Sequence, residues 1–218
     1  EKVDCVVIGA GMSGLAAGIR LAMYNKKVLV LEKHTISGGL NSYYARGERK
    51  FDVGLHALTN FVTKADKGKP FYKLMKQLRI PYEEFKLSPQ NYSLIQFPDQ
   101  SLKFTNEIAT LIEEINQKFP TETDGFIRLL EHIKNFDEVN LNNETVMAKT
   151  VVRSFIKNES LVEMIFCPLL IYGSAWENDM DFSQFVIMFK SIFLEGFSRP
   201  EGGVRTIIDL LLKKLFDV

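Results

Sequence analysis

The sequence predicts an α/β fold, with a parallel sheet at the start of the chain and a helix-rich α+β region after it. Apolar runs at residues 4–8 and 28–31 predict two strands, and helical apolar periodicity at residues 13–24 predicts a helix between them. Such a unit makes a right-handed crossover, with both strands parallel and buried on both faces. The abundance of Phe, Ile, Leu and Met at residues 144–197 favours packed helices.

The remaining elements follow from local pattern. Residues 182–197 place five Phe at helical spacing and predict one long helix that is apolar around most of its circumference. A buried core helix is the preferred interpretation. The lining of a long apolar substrate tunnel, or a surface covered by another part of the protein, is the alternative. We also expect loops and a short strand at 50–53, a hairpin of residues 92–97 and 101–104, and helices at 71–78, 105–118 and 204–216.

Charge excludes one large class of partner. The 218 residues hold 27 Lys and Arg against 27 Asp and Glu, so the net charge is zero. Binding to nucleic acid depends on an excess of cations, and we therefore expect no nucleic-acid partner. The cluster of Lys64, Lys67 and Lys69 is interpreted as a solvated loop.

Cysteine content and hydropathy bear on the compartment. Cys5 and Cys167 make no disulfide framework, so we expect a reducing, cytoplasmic environment. We expect no secretory signal, because the first residues run directly into a strand pattern. The longest apolar stretch, 164–176, is too short and too broken for a membrane span, which leaves peripheral membrane contact open.

A glycine pattern follows the first predicted strand. Gly9, Gly11 and Gly14 fit G-x-G-x-x-G, and the pattern opens a helix and is followed by Glu32 at the end of the second strand. In this Rossmann-like context, Gly9 allows a tight turn, Gly11 lets a pyrophosphate approach the backbone, and Gly14 lets the helix pack closely. The helix N-terminus offers amides to phosphates. Glu32 accepts hydrogen bonds from ribose hydroxyls and disfavours NADP.

Simpler interpretations stand beside this one. If the coincidence of strand, helix and acid were accidental, the glycines would form only a tight turn and Glu32 would be a solvated strand end. Gly18 lies one helical turn beyond Gly14, and we interpret it as a position of close helix–strand packing rather than of ligand contact.

Beyond the second strand, residues 32–44 and 51–56 resemble a known family. The likeness is to the phytoene desaturase, carotenoid isomerase and retinol saturase branch of the FAD-dependent amine oxidase superfamily. It implies that Glu32 binds the adenosine ribose, that Gly38 and Gly39 lie along the FAD pyrophosphate, and that residues 54–56 pass beside the isoalloxazine ring. The implied cofactor-binding residues are Gly9, Gly11, Met12, Ser13, Gly14, Glu32, Lys33, Gly38, Gly39, Leu40, Gly54, Leu55 and His56.

The resemblance is weaker after residue 58 and departs from the family in two respects. Leu40 stands where many relatives carry an Arg that reaches the phosphates. The family also continues beyond the helix after its Pro-x-Gly-Gly motif, so we expect this chain to be an N-terminal part, with an incomplete sheet and a missing C-terminal half. Weaker counterparts are Phe119-Pro120 with Glu122, Tyr172-Gly173, and the run 199–203.

The resemblance implies an organisation in three parts. Residues 1–88 would form the FAD-binding region and residues 89–200 a substrate or cap region. Residues 201–218 would begin the return of the chain to the FAD-binding region.

The activity implied is that of an FAD-dependent oxidoreductase. It would desaturate, saturate or isomerise carbon–carbon bonds of an apolar small molecule, of isoprenoid, carotenoid or retinoid type. A flavin carries the hydride chemistry itself, so a constellation of catalytic side chains is not required. His56 is the one catalytic candidate, and a structural histidine beside a tight loop is the equal alternative. No metal-ligand spacing is present.

Two other functions remain in view. Rab escort proteins and GDP-dissociation inhibitors resemble this architecture and bind prenylated proteins rather than FAD, but the complete glycine pattern and Glu32 argue against that function. An NAD-dependent Rossmann dehydrogenase is the other, but it has no role for Gly38-Gly39 or for residues 51–56.

Overall fold

The computed structural model describes residues 2–171, 174 and 176–218. The chain forms two compact units, each described here by itself: Glu1–Pro89 with Ser198–Val218, and 90–197. The weak motif Tyr172-Gly173 lies outside the described residues. The cofactor and substrate roles expected for the parts of the chain remain predictions.

Short strands and helices alternate along the described chain. The strands are β1 Cys5–Ile8, β2 Val28–Leu31, β3 Tyr43–Arg46, β4 Arg49–Asp52, β5 Leu87–Pro89, β6 Ser93–Gln96, β7 Ser101–Phe104 and β8 Ser198–Pro200. The helices are α1 Met12–Ala22, α2 Pro70–Leu78, α3 Ile108–Lys118, α4 Thr123–Asn135, α5 Ala148–Phe155, α6 Glu159–Ile171, α7 Phe182–Phe189 and α8 Arg205–Phe216. Among them, no helix is both long and apolar enough to cross a membrane.

The first unit is built on the predicted strand–helix–strand motif. Strands β1 and β2 pair in parallel, from Cys5 opposite Val28 to Ile8 opposite Leu31, with α1 as the crossover. Gly18 of α1 faces β2 and α8, because a Cβ there would lie 3.0 Å from Val30 Cγ2 and 3.1 Å from Leu215 Cδ1. The packing role predicted for Gly18 and the Rossmann-like α/β class are confirmed.

The expectation that these strands are buried on both faces is wrong. Side chains alternate between the two faces of a strand. One face packs on the helices of the unit, and the other leaves Val6 51% and Ile8 88% exposed, with Leu29 and Leu31 of β2 43% and 48% exposed beside them. A two-stranded sheet covered by helices on one side only leaves this aliphatic face open.

Further strand pairs complete the first unit. Strands β3 and β4 form an antiparallel hairpin around Gly47, whose φ of +59° suits glycine. Sequence pattern predicted only the second of these strands, because the first is rich in Tyr and Arg and has no apolar alternation. Strand β8 returns from the second unit to pair with β5, and α8 follows it.

The second unit is a helical core beside the predicted hairpin of β6 and β7. The single helix predicted for 182–197 is wrong in length: α7 ends at Phe189, and π-helical residues Lys190–Leu194 follow. Gly196 then turns the chain at φ +80°, and Asn106 accepts a 2.8 Å hydrogen bond from the amide of Phe197. The buried-core interpretation of the Phe residues is confirmed.

Aromatic packing around α7 supports a stability prediction. Phe185 is fully buried, and its ring centroid lies 4.9 Å from that of Phe166 and 5.7 Å from that of Phe189. Phe185→Ala should therefore lower the free energy of unfolding by about 3–5 kcal/mol, measured by urea denaturation. Ile187→Ala on the same helix is the control, because Ile187 is 45% exposed and its truncation should cost under about 1 kcal/mol. Equal losses in both variants would contradict this packing.

Candidate functional site

The loop between β1 and α1 presents open backbone. Gly9 has a φ of +101°, which favours glycine, and its amide donates a 2.7 Å hydrogen bond to the carbonyl of Leu31. Gly11 is the N-cap of α1, and a Cβ built on it would meet no atom within 4 Å. The space in front of this backbone is therefore free, as an approaching phosphate requires.

Close packing in the same loop requires glycine at position 14. A Cβ at this position would lie 1.9 Å from the carbonyl oxygen of Gly9. Any side chain would push α1 away from the loop, so glycine is needed for the observed packing. Met12 and Ser13 form the first turn of α1, where neither a capping side chain nor an acidic residue is present.

Glu32 follows β2 and reaches back to the glycine loop. Its Oε2 accepts a 2.7 Å hydrogen bond from the amide of Ala10, and its Oε1 accepts a 2.9 Å hydrogen bond from the amide of His34. These amides of His34 and Ala10 hold the pKa of the Glu32 carboxyl below its ordinary value. Each carboxylate oxygen keeps a second lone pair for another donor. Glu32 also lines a cavity of about 570 Å³ with Ala10 and Ser37.

The double glycine lies directly beside the first loop. The amide of Gly38 donates a 2.8 Å hydrogen bond to the carbonyl of Ala10, and Gly38 pairs with Gly11 in a parallel bridge. A Cβ at Gly39 would lie 3.4 Å from the Cα of Gly11. The two predicted glycine segments thus form one cradle of backbone. Leu40 and Lys33 are exposed near it.

The third predicted segment joins this cradle through Gly54. Its φ is +74°, and a Cβ there would lie 2.4 Å from the carbonyl oxygen of Leu40. Leu55 packs on the core of the first unit. His56 is exposed, and its carbonyl accepts a 2.8 Å hydrogen bond from Arg199 Nη1. The backbone therefore fixes the place of His56, and a catalytic role for its side chain stays a prediction.

An ion network around the buried Asp52 side chain supports the third segment, and sequence reasoning missed it. The side chain of Asp52 is 2% exposed, and it accepts a 2.7 Å hydrogen bond from Arg199 and another from Arg205. Gly203 makes room for this network, because a Cβ there would lie 2.6 Å from Asp52 Oδ2. A lone acid in the apolar run 51–55 and two arginines around Pro200 were the available signal.

A metal centre was not predicted from the sequence. No cluster of three or more His, Cys, Asp or Glu side chains that would hold a metal ion is found among the described residues. The arrangement can hold an anionic, extended ligand against the backbone of the first loop and the double glycine, with the Gly54 segment packed behind Leu40.

The Glu32 carboxylate should make the glycine loop sensitive to acid. Because its folded-state pKa is lowered, its stabilising contribution is complete above the unfolded-state value near 4.5 and is lost as the pH falls through the lower folded value. Glu32→Gln should remove this part of the acid dependence, measured as amide exchange of Ala10 and His34 against pH. An unchanged profile in Glu32→Gln would contradict the assignment, and Glu48→Gln in an exposed turn is the control.

The Asp52 network should contribute to stability through charge pairing. Asp52→Ala leaves Arg199 and Arg205 without their shared carboxylate and should lower the free energy of unfolding by about 3 kcal/mol. That is the lower end for such networks, because Arg199 is half exposed and can be hydrated again. Thermal or urea unfolding measures the loss. Glu48→Ala should change stability by no more than about 0.5 kcal/mol, and a neutral Asp52→Ala would contradict the network.

Comparison with known proteins agrees with this geometry. Residues 7–78 match the NAD(P)-binding Rossmann-like domain family. The chain is 32% identical over 126 residues to a chloroplastic prolycopene isomerase of Arabidopsis thaliana, covering 57% of this chain and 20% of that protein. It is 31% identical over 147 residues to an all-trans-retinol 13,14-reductase of Macaca fascicularis, covering 62% of this chain and 23% of that protein. The chain thus spans about a fifth to a quarter of these relatives.

Solved structures share the fold across nearly the whole chain. An oxidoreductase from Methanosarcina mazei superposes with a TM-score of 0.68 at 18% identity, covering 98% of this chain and 49% of that one. A RAB GDI from Plasmodium falciparum superposes with a TM-score of 0.60 at 12% identity, covering 98% and 56%. The family model supports a dinucleotide cofactor. The chain thus contains an NAD(P)-binding Rossmann-like domain at residues 7–78 and is similar in sequence to prolycopene isomerases and all-trans-retinol 13,14-reductases.

Proposed function

We propose that this chain is the N-terminal portion of an FAD-dependent oxidoreductase that acts on carbon–carbon bonds of an apolar substrate. The observation that supports it best is the backbone cradle in which Gly11, Gly38 and Gly39 meet beside Glu32. Side chains are absent where a pyrophosphate would lie, and a carboxylate stands where the adjoining ribose would lie. In a dinucleotide site, backbone amides face the phosphates and a carboxylate faces the adjoining ribose, and the groups of this cradle follow the same order.

Two features favour FAD over a nicotinamide dinucleotide as the resident cofactor. The double glycine packs against the first loop, and Gly54 packs against the carbonyl of Leu40 directly after the double glycine, which extends the cradle beyond the ordinary βαβ site. Glu32 would repel a ribose 2′-phosphate, which disfavours NADP. When bound, the flavin would supply the hydride chemistry, while the chain's own backbone binds, orients and excludes water.

The substrate class is proposed from the names of the relatives. Prolycopene and retinol are apolar polyenes, so an isoprenoid, carotenoid or retinoid-like small molecule is the proposed substrate. His56, held by Arg199 through its carbonyl, is the proposed catalytic candidate of this chain. A cytoplasmic location with peripheral contact to a membrane is proposed with it.

A further part of the same protein is proposed to cover the open sheet face. Val6, Ile8, Leu29 and Leu31 form an exposed aliphatic patch on the strands that carry the cofactor loop. Exposed apolar patches of this kind mark interaction surfaces. With that face open, the 218-residue chain alone should retain FAD poorly and turn nothing over.

A lipid-binding protein without FAD is the second candidate function. The likeness to a RAB GDI favours it, because the same fold is present there. The open cradle at Gly11 and the position of Glu32 favour the flavoprotein, since a protein without a dinucleotide has no use for them. Cofactor content separates the two.

Gly11→Val tests the cradle directly. Gly11 has an extended conformation, with φ −73° and ψ 174°, and open space around a Cβ, so valine should fit the protein itself. It should nevertheless occupy the space of the phosphates and reduce bound flavin in the complete protein to background. The measurement is flavin fluorescence released per mole of denatured protein.

The matched control is Gly68→Val, because Gly68 also has open space around a Cβ and lies in an exposed loop. Its flavin content should equal that of the unaltered protein. Normal flavin content in Gly11→Val, with both variants folded, would rule out the proposed position of the phosphates.

A further inference from the structure

A basic groove lies on the first unit, apart from the glycine cradle. It is lined by Lys64, Lys67, Lys76 and Arg79, with Tyr72 and Tyr82 as its aromatic wall, and its volume is about 480 Å³. The tyrosine rings stack with centroids 6.3 Å apart. We name this set of six residues the basic groove.

Charge is strongly segregated in this part of the chain. Residues 64–79 hold six Lys and Arg against the single acid Asp66, although the whole chain is neutral. Lys64 pairs with Glu83, and Lys69 lies 3.7 Å from Asp66. Among the described residues, no acid lies within ion-pair distance of Lys67, Lys73, Lys76 or Arg79. The positive charge of the basic groove is therefore largely uncompensated.

The C-terminal end of α2 forms one side of the basic groove. The helix ends at Leu78, and Arg79 takes a left-handed conformation with φ +52°, which ends the helix beside Ile80. Phe71, Met75 and Leu78 pack inward, which leaves Lys73 and Lys76 exposed. Lys76 and Arg79 line the groove together with Tyr72, so cations and an aromatic ring share this side of the helix.

A second, smaller groove continues the positive surface. It shares Arg79 and Ile80 with the first, and its charged lining adds Lys213 and Lys214 of α8 together with the acids Glu84 and Asp217. Lys213 lies 3.4 Å from Glu84, and Lys214 has no acid within ion-pair distance among the described residues. The cations thus extend across a loop, α2 and α8, which is broader than the contact of one small anion.

We propose that the basic groove and the adjoining Lys213–Lys214 surface dock the first unit onto a membrane that contains anionic phospholipids. Exposed lysines spread over three elements suit many headgroup phosphates at once, whereas a site for one small anion needs converging, buried donors. The tyrosine wall suits the boundary between headgroups and acyl chains. This rests in part on the proposed function, because an apolar substrate must be taken from a lipid phase.

The test is flotation of the chain with vesicles of phosphatidylcholine, with and without phosphatidylserine. The chain should bind only the vesicles that contain phosphatidylserine, and high salt should release it. Lys67→Gln/Lys76→Gln/Arg79→Gln should weaken partitioning on the order of a hundredfold, since each cation near an anionic surface contributes roughly a fivefold factor. Circular dichroism checks that this variant is folded.

A charge-matched triple variant provides the control. Arg46→Gln/Arg128→Gln/Lys134→Gln removes the same charge at exposed positions elsewhere and should leave partitioning almost unchanged. Equal losses in both triple variants, equal binding to neutral vesicles, or no binding to anionic vesicles would each overturn the proposal. Displacement by inorganic phosphate at constant ionic strength would indicate a small-anion site, and equally tight binding to polyglutamate would indicate an acidic protein partner; either result also overturns it.

Flavin content of the complete protein separates this proposal from the proposed function. Vesicle binding by a protein without flavin would retain the docking surface and reject the oxidoreductase. A protein that contains flavin but does not bind anionic vesicles would reject the docking surface and retain the oxidoreductase.

Discussion

One carboxylate and two backbone amides organise the candidate site. Glu32 accepts hydrogen bonds from Ala10 and His34, and so ties the glycine loop after β1 to the chain after β2. The parallel pairing of β1 and β2 brings these segments to the same edge of the sheet. With the loop held, Gly38 can bond to Ala10, and Gly39 can approach Gly11 without a side chain between them. The cradle is thus a property of backbone that a single acid keeps in place.

The Asp52 network holds the third segment, residues 52–56, in place, as Glu32 holds the glycine loop. It joins the start of the 52–56 run to Arg199 and Arg205, which are distant in sequence. Arg199 also bonds to the carbonyl of His56, so one side chain links the ion network to the catalytic candidate. A chain that leaves the first unit at residue 89 and returns at residue 198 is fastened to the candidate site by this network.

The sequence predicted the parts of the fold that are determined by interactions between residues close together in the chain. The βαβ unit, the close packing at Gly18 and the hairpin of β6 and β7 follow from periodicity and from glycine, whose effects act within a few residues. The open sheet face was not predictable, because an apolar run has the same pattern whether one or both faces are covered. The turn after the π-helical residues uses a bond from the amide of Phe197 to Asn106, 91 residues away, and Asp52 pairs with Arg199, 147 residues away, so neither feature has a local signal.

The central claim is that the cradle holds a flavin dinucleotide, and the absorption spectrum of the complete protein as purified tests it most directly. The account predicts the bands of oxidised flavin, with FAD as the compound released on denaturation. A protein that is folded, colourless and free of any dinucleotide would contradict it.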